Sequence, residues 1–305
     1  MTRRGWILFL AMGTIWGFPY LFIKEAVDSI APAGVVSFRT LGAAVILLPI
    51  AAYQGAIRPA LAKWPWILAF AAIELAGPFM LLSHAEQTLP SGLTGLLVST
   101  VPLVAAVIGF TRGDRSAVSP VRIGGLLIGV LGVALVVGGG GDGAVTAVAV
   151  GEVLLTAVLY AIAPFIVATH LRDVPALGAI SLSLTAAGLG YLPFALLTQD
   201  GTPTGRSIAA AIALAVLCTA LAFVVFFRLI AEVGPTRAPL ITYINPVVAL
   251  ALGVAVLDEQ LTALMALGIP LILIGCWFAA NHQQPPPDPT DPADGTPPVA
   301  AVSGN

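Results

Sequence analysis

Stretches of about twenty mostly apolar residues, each closed by a short polar turn, follow one another along this chain as far as residue 280. They run approximately over 5–23, 33–53, 64–84, 89–110, 122–141, 151–169, 176–198, 207–227, 238–257 and 262–280. The runs from Leu89 to Phe110 and from Ser207 to Phe227 carry no charge. At about 1.5 Å per residue each is long enough to cross a hydrocarbon core of about 30 Å. A backbone inside lipid must satisfy its own hydrogen bonds, so these spans are predicted to be helices. The expected fold class is an all-α polytopic membrane protein with ten transmembrane helices. The connections are too short to hold a soluble domain between them.

The pattern repeats. At an offset of 144 residues Trp16 falls on Tyr160, Leu48-Pro49 on Leu192-Pro193, Pro102 on Pro246, Asp114 on Asp258 and Gly124 on Gly268. Five spans per half is an odd number, so the halves are expected to sit in the bilayer in opposite orientations. Inverted five-helix repeats are a common architecture of secondary transporters. The expected organisation is a first repeat over 1–145, a second over 146–280 and a tail over 281–305. The tail holds Pro285-Pro286-Pro287 with Asp288, Asp291 and Asp294, a composition that predicts a disordered, partly polyproline-like cytoplasmic extension.

Lys and Arg set the expected orientation. With the N-terminus cytoplasmic, the inner side receives Arg3, Arg4, Arg58, Lys63, Arg112, Arg115, Arg122, Arg172, Arg228 and Arg237. The outer side receives Lys24 and Arg206, while Arg39 lies within a span. This bias predicts both termini inside a cell (inner or plasma) membrane. Arg3 and Arg4 before an apolar stretch imitate a signal peptide. That stretch runs through Trp16 and Pro19 without a small-residue cleavage site, so it is read as a retained first helix.

Composition narrows the classes. The chain has 305 residues, 58% hydrophobic and 9% charged, with a mean hydropathy of +1.00. A soluble domain has too little polar surface to cover that much apolar material. No basic stripe of the kind that binds nucleic acid is present. Cys218 and Cys276 lie inside spans without metal or redox spacing, and read as buried small apolar residues. No cofactor is implied, and Gly138 to Gly141 lack the Lys-Ser/Thr of a phosphate loop.

Charge inside a span is expensive, which makes Glu74 and Arg39 informative. From the proposed span ends Arg39 lies roughly 10 Å, and Glu74 roughly 15 Å, below the outer boundary. Their side chains can meet directly or through water. The functional reading is a polar substrate site, with Glu74 as coupling candidate; the structural reading is an ion pair, or an Arg that snorkels. At the repeat offset Arg39 falls on Ser183 and Glu74 on Cys218, so this chemistry belongs to one half. Trp16 with Pro19, and Tyr160 with Pro164, pair an aromatic with a helix-weakening proline in both halves, which points to a cavity lining or to kinked packing. Pro102 and Pro246 form a second pair, expected with Pro19 and Pro164 to act in kinking and gating. Pro246 follows Thr242, Tyr243 and Asn245, whose polar groups either bind substrate or satisfy the kink. His84 and Glu86 read as interfacial. Asp258-Glu259 and Glu152 read as caps of the tenth and sixth spans.

These residues resemble the EamA-type members of the drug/metabolite transporter superfamily across nearly the whole chain, the tail excluded. The resemblance rests on Ile15-Trp16-Gly17, on Phe38-Arg39, and on Pro102 and Asn245-Pro246, each leading to an acidic turn. The run Gly253-Val254-Ala255-Val256-Leu257-Asp258-Glu259-Gln260-Leu261-Thr262 with Gly268 looks like the family's typical ending. The first half departs from it, reading Gly113-Asp114-Arg115 where the family usually has Gly-Glu. The resemblance implies ten helices in two inverted repeats, a central cavity, and export or exchange of a small metabolite or drug-like molecule.

The expected function is therefore a secondary transporter working by alternating access in the lipid bilayer. The substrate would be held by Trp16, Arg39, Glu74, Tyr160, Tyr243 and Asn245. No ATP-binding motif is present, so protons are the default coupling ion. An uncoupled facilitator of the same fold and a non-transporting receptor or structural protein stay open as alternatives. An enzyme is not expected, because Ser91-Gly92 near His84 is the closest approach to a catalytic pair and it sits at the rim.

Overall fold

The computed structural model describes residues 2–111, 120–139, 146–234 and 238–280. The tail 281–305 and the turn Gly113-Asp114-Arg115 lie outside them, as do Arg112, Arg237, Gly140 and Gly141. Among the described residues every element is helical. The first span is α1 (Arg3–Ile15) followed by α2 (Phe18–Ala26), and the second is α3 (Pro32–Tyr53). A short α4 (Ile57–Leu61) leads to α5 (Trp64–Phe70), a π-helical turn (Ala71–Ala76) and α6 (Gly77–Ala85). Then come α7 (Ser91–Val98), α8 (Val101–Thr111), α9 (Pro120–Gly138) and α10 (Ala147–Ile166), which runs into a π-helical turn (Val167–Leu171). The remainder is α11 (Ala176–Thr198), α12 (Gly205–Ala215), a π-helical turn (Val216–Leu221), α13 (Ala222–Val233), a 3₁₀ segment (Ala238–Tyr243), α14 (Asn245–Val256) and α15 (Ala263–Ala280).

Seven of these stretches are long and apolar enough to cross a membrane, from Arg3–Ala26 to Gly205–Val233. Three shorter apolar helices, Ile123–Gly138, Ile241–Val256 and Ala263–Phe278, accompany them among the described residues. The protein is thus an all-α, multi-pass membrane protein. The longest of its helices, such as α3 and α11, are apolar on nearly every side, as suits a bilayer solvent. Val45 (73% exposed), Leu127, Leu196, Leu197 (82%) and Leu267 present their side chains outward, a surface that lipid covers at no cost. The interior is aliphatic. Ile23, Leu93, Leu96, Leu97, Val153, Leu214 and Ile272 join α2, α7, α10, α12 and α15 in the largest cluster.

The breaks have local causes. Trp16 and Gly17 separate α1 from α2, and Pro19 falls in the first turn of α2, where a missing N–H is harmless. Ser99 and Thr100 separate α7 from α8, with Pro102 just beyond. Ile244 separates the 3₁₀ segment from α14, and Pro246 again lies in the first turn. The π-helical turn at Ala71–Ala76 precedes Pro78, whose ring would meet the Glu74 carbonyl in a regular helix. At Val216–Leu221 the cause is a side chain: the Thr219 hydroxyl donates to the Leu214 carbonyl at 2.8 Å. Pro164 does not break its helix beside Tyr160. It sits inside α10, and the irregular turn begins at Val167.

Helix pairs close on small residues. Against α15, α9 approaches so near that a Cβ on Gly275 would lie 2.5 Å from the Gly129 backbone nitrogen, and one on Gly132 would lie 2.7 Å from that of Ile272. Main chain cannot yield as a side-chain tip can, so bilayer helices use glycine at such crossings. A Gly275→Ala substitution should cost about 1–3 kcal/mol by overpacking. Gly151→Ala, on α10 where an added Cβ meets nothing within 4 Å, should instead stabilise by up to about 1 kcal/mol. Thermal unfolding of both variants in one detergent, with opposite signs of the Tm change, checks this.

Candidate functional site

The second and third spans carry the intramembrane charges into the protein. Arg39 sits on α3 and is buried. Its Nε donates to Thr219 Oγ1 at 2.9 Å, and its guanidinium carbon lies 3.8 Å from the centroid of the Phe79 ring. This is a cation–π stack in a dry setting, where such contacts are strongest. Thr219 passes its own proton to Leu214 O. A carbonyl displaced by the π-helical turn is therefore linked through one hydroxyl to a guanidinium from the other half of the chain.

Glu74 lies in the matching π-helical turn of the third span and is half-buried, as is Tyr160 on α10. No ion pair joins Arg39 to Glu74 among the described residues. Tyr160 instead stands close enough to interact electrostatically with both, and Tyr20 adds a further phenol. Cys218 also lies in Arg39's field. The structure thus gathers Arg39, Glu74 and Tyr160 and adds Tyr20, Cys218, Thr219 and Phe79, which the sequence reading did not select. Phe79 was legible in principle, five positions after Glu74 on a widened turn.

The remaining candidates lie elsewhere. Trp16 packs on Phe226 at 4.8 Å and edge-on to Phe223 at 6.2 Å between ring centroids, in the cluster that joins α1 to α13. The Tyr243 hydroxyl donates to the Cys276 carbonyl at 3.1 Å, and its ring lies against Trp277. Asn245, in the amide orientation that satisfies its surroundings, donates to Gly13 O at 2.8 Å and Ile241 O at 3.0 Å. Both side chains therefore tie the helix break before α14 to neighbouring main chain.

Three expectations for the turns need correction. His84 is exposed and holds Glu152, with Nδ1 to Oε1 at 2.8 Å, so Glu152 serves a contact between spans. Thr146 is the residue that caps α10. Glu86 is not interfacial but wholly buried. Glu259 does cap a helix, though a different one. Its carboxylate accepts from the Ser91 amide at 2.5 Å and the Gly92 amide at 2.9 Å, at the start of α7. Thr262 takes the cap of α15 by accepting from Met265 N at 3.3 Å. Gly253 makes room for the swing, since a Cβ there would collide with the Glu259 carboxylate.

On the same face a cleft of about 880 Å³ opens between the 27–33 turn, the third span and α11. Asp28, His84, Gln87, Tyr191, Phe194 and Asp200 supply its polar and aromatic lining, and alanines of the third span its floor.

This architecture, with polar groups gathered at mid-span among interrupted helices, is that of a membrane transporter. The EamA-like transporter family matches the chain twice, over residues 3–138 and 148–281. The chain belongs to that family, within the drug/metabolite transporters. It is 23% identical to the WAT1-related protein At3g02690, chloroplastic, of Arabidopsis thaliana, over 91% of this chain and 69% of that protein. It is 26% identical to the uncharacterized inner membrane transporter YedA of Escherichia coli K12, over 85% of both. One solved crystal structure shares the fold at 17% identity with a TM-score of 0.63, covering 92% of this chain and 98% of that one.

The Glu259 cap lends itself to a direct check. Charge-assisted bonds to helix amides contribute about 1.5–3 kcal/mol. Glu259→Ala should therefore lower unfolding stability by about that amount, and Thr262→Ala by about 1 kcal/mol. Equal effects of the two in thermal melts would count against a cross-span role for Glu259.

Proposed function

We propose that the protein is a secondary transporter that exports or exchanges a small amphipathic metabolite or drug-like molecule across the cell membrane by alternating access. Its ten spans form two inverted five-helix repeats, 1–145 and 146–280. The Lys/Arg bias puts both termini in the cytoplasm and the 86–90 and 257–262 turns outside. The observation that carries the reading is that two helix interruptions recur in the second half at an offset of 144–145 residues. The π-helical turn at Ala71–Ala76 is matched by Val216–Leu221, and the break at Ser99-Thr100 by the one at Ile244. Discontinuous helices at corresponding places in two halves mark the binding region of inverted-repeat carriers.

Arg39, Glu74 and Tyr160 form the polar wall of the site, and Trp16 offers an aromatic face where α1 meets α2. Tyr243 and Asn245 hold the break in the ninth span, so that Pro246 and Pro102 act as hinges rather than as contacts. Glu74 has accessible surface at mid-depth, which is what a carboxyl needs to exchange protons with a substrate or with water. Tyr160 relays the state of Glu74 to Arg39. The sequence carries no ATP-binding motif, so the carrier draws on an ion gradient, and protons match a carboxyl at mid-depth.

The test is reconstitution into proteoliposomes with a substrate found by comparing compounds exported by cells with and without the protein. An imposed pH gradient should drive uptake against the substrate's own gradient. Glu74→Gln should abolish that accumulation, leaving at most downhill exchange, and Trp16→Ala should raise KM. Accumulation by the Gln variant equal to the parent's, with the same pH profile, removes Glu74 from coupling. A parent that never accumulates substrate is a facilitator.

A further inference from the structure

The third span ends in a carboxyl group that the site above does not use. Glu86 follows α6 directly, is wholly buried, and neither of its carboxylate oxygens has a hydrogen-bond partner among the described residues. The Ser91 hydroxyl, five residues on, is buried and unpartnered as well. Buried polar groups are nearly always paired, and a buried ionised carboxylate without donors is among the least tolerable arrangements in a protein.

The charged and titratable groups around Glu86 come from three elements. Lys24 and Tyr20 face it from α2, Arg39 from α3, and Glu259 from the turn before α15. The obvious counter-ion is engaged elsewhere. Lys24 Nζ donates to the Glu86 carbonyl at 2.7 Å and the Leu89 carbonyl at 3.0 Å. It thereby holds the 86–90 turn by its main chain. That turn delivers the Ser91 and Gly92 amides to Glu259, 168 and 167 residues away in sequence. Just beneath, α7 lies against α14, with Gly92 beside Leu250 and Gly95 beside Ala249. One small polar cluster therefore closes the outer ends of the fourth and ninth spans, which belong to different repeats.

We propose that Glu86 is a proton-binding site that latches this outer seal, the protonated side chain keeping the 86–92 turn seated on Glu259 and loss of the proton releasing it. The neutral acid can stay dry. The carboxylate cannot, and it has two remedies. It can draw Lys24 away from the Glu86 and Leu89 carbonyls, or it can admit water between α7 and α14. Either one dismantles the turn that presents the amides to Glu259, whose own negative charge adds repulsion. Burial holds the Glu86 carboxyl well above the usual carboxylate range, against the opposing pull of Lys24. The sign follows from linkage. The sealed form binds the proton more tightly than a hydrated, open form, so the seal is complete below the open form's ordinary value. It is lost as pH rises through the raised one, by up to roughly tenfold per pH unit for one proton.

This inference rests on the alternating-access reading and gives it an order of events, with proton uptake from outside closing the outer side. The test measures a distance rather than transport. In full-length protein with Cys218→Ser and Cys276→Ser, spin labels at Gln87→Cys and Leu261→Cys span the seal, and pulsed EPR in nanodiscs reads their separation. A short distance should dominate at pH 5. A longer one should grow by tenfold or more relative to it by pH 8. Glu86→Gln should keep the short distance at both values, and Glu86→Asp should restore the response. Should the Gln variant fail to fold, amide exchange of Ser91 and Gly92 in the native protein gives the same answer, through protection factors that fall as pH rises. Distances and protection independent of pH, or a response undiminished in Glu86→Gln, overturn the proposal. A seal that responds in a protein that carries nothing in vesicles refutes the transport reading and leaves this one standing.

Discussion

A carbonyl released from a helix inside a hydrocarbon layer has no water to turn to, and the consequences of that constraint run through the whole molecule. At each of three mid-span irregularities a named side chain or neighbouring helix answers it. Thr219 donates to Leu214 O where the eighth span widens. Ser99 and Thr100 donate back to Leu96 O and Leu97 O, both at 2.6 Å, where α7 stops. Cys276 Sγ then reaches Ser99 O at 3.1 Å. Asn245 bridges Ile241 O to Gly13 O before α14. Bonds of this kind are alternatives to a regular ladder, and a helix with two satisfactory hydrogen-bond patterns can change shape without exposing a bare polar group to lipid.

The same constraint explains how the charges are distributed. A duplicated fold that carried Arg39 and Glu74 twice would have to shelter four charged groups at mid-depth. One copy suffices when the other half supplies neutral partners. Thr219 and Cys218 stand where the repeat would place the counterparts of Leu75 and Glu74, and from there they accompany Arg39. The reverse happens where the 257–262 turn meets the start of α7. In that contact the second half contributes the carboxylate of Glu259 and the first half the backbone amides of Ser91 and Gly92. The two halves share the mid-span breaks at Ala71–Ala76 and Val216–Leu221 and at Ser99-Thr100 and Ile244, but not the break at Trp16-Gly17 or the turn at Val167–Leu171, and they differ in the side chains that decide what is recognised.

The span pattern was legible because burial in lipid depends on local composition, so a run of twenty apolar residues carries its own answer. The prolines marked the breaks for a similar reason: a missing N–H is a local fact. Pro164 shows the margin of that logic, since its helix continues for two residues and distorts only from Val167. What could not be read were contacts between residues far apart in sequence. Glu259 sits four residues before α15 and looks like its cap, yet its carboxylate is claimed by amides from the other half of the chain. Glu86 looks like the polar end of a span, yet it is wholly buried, with Lys24 of α2 and Glu259 of the 257–262 turn, both distant in sequence, among the charges that act on it. Arg39 and Glu74 stood close enough on the span pattern to meet directly or through water; no ion pair joins them among the described residues, and Tyr160 interacts with both.

The run from Gly253 to Thr262 gains a mechanical meaning from this geometry. The Gly253 carbonyl accepts both Leu257 N and Glu259 N at 3.1 Å, which folds the chain back on itself. Asp258 takes up the reversal with a φ of 53°, a left-handed backbone that Asp tolerates better than most residues. The reversal aims Glu259 over Gly253, where any side chain would block it, and Thr262 then starts α15 independently. Every element of the turn serves to bring one carboxylate onto a helix N-terminus in the other half. A contact with so much local structure devoted to it, yet made of two hydrogen bonds to a single acid, is firm while it holds and lost all at once. Under the alternating access proposed above, that is the behaviour this end of the carrier needs.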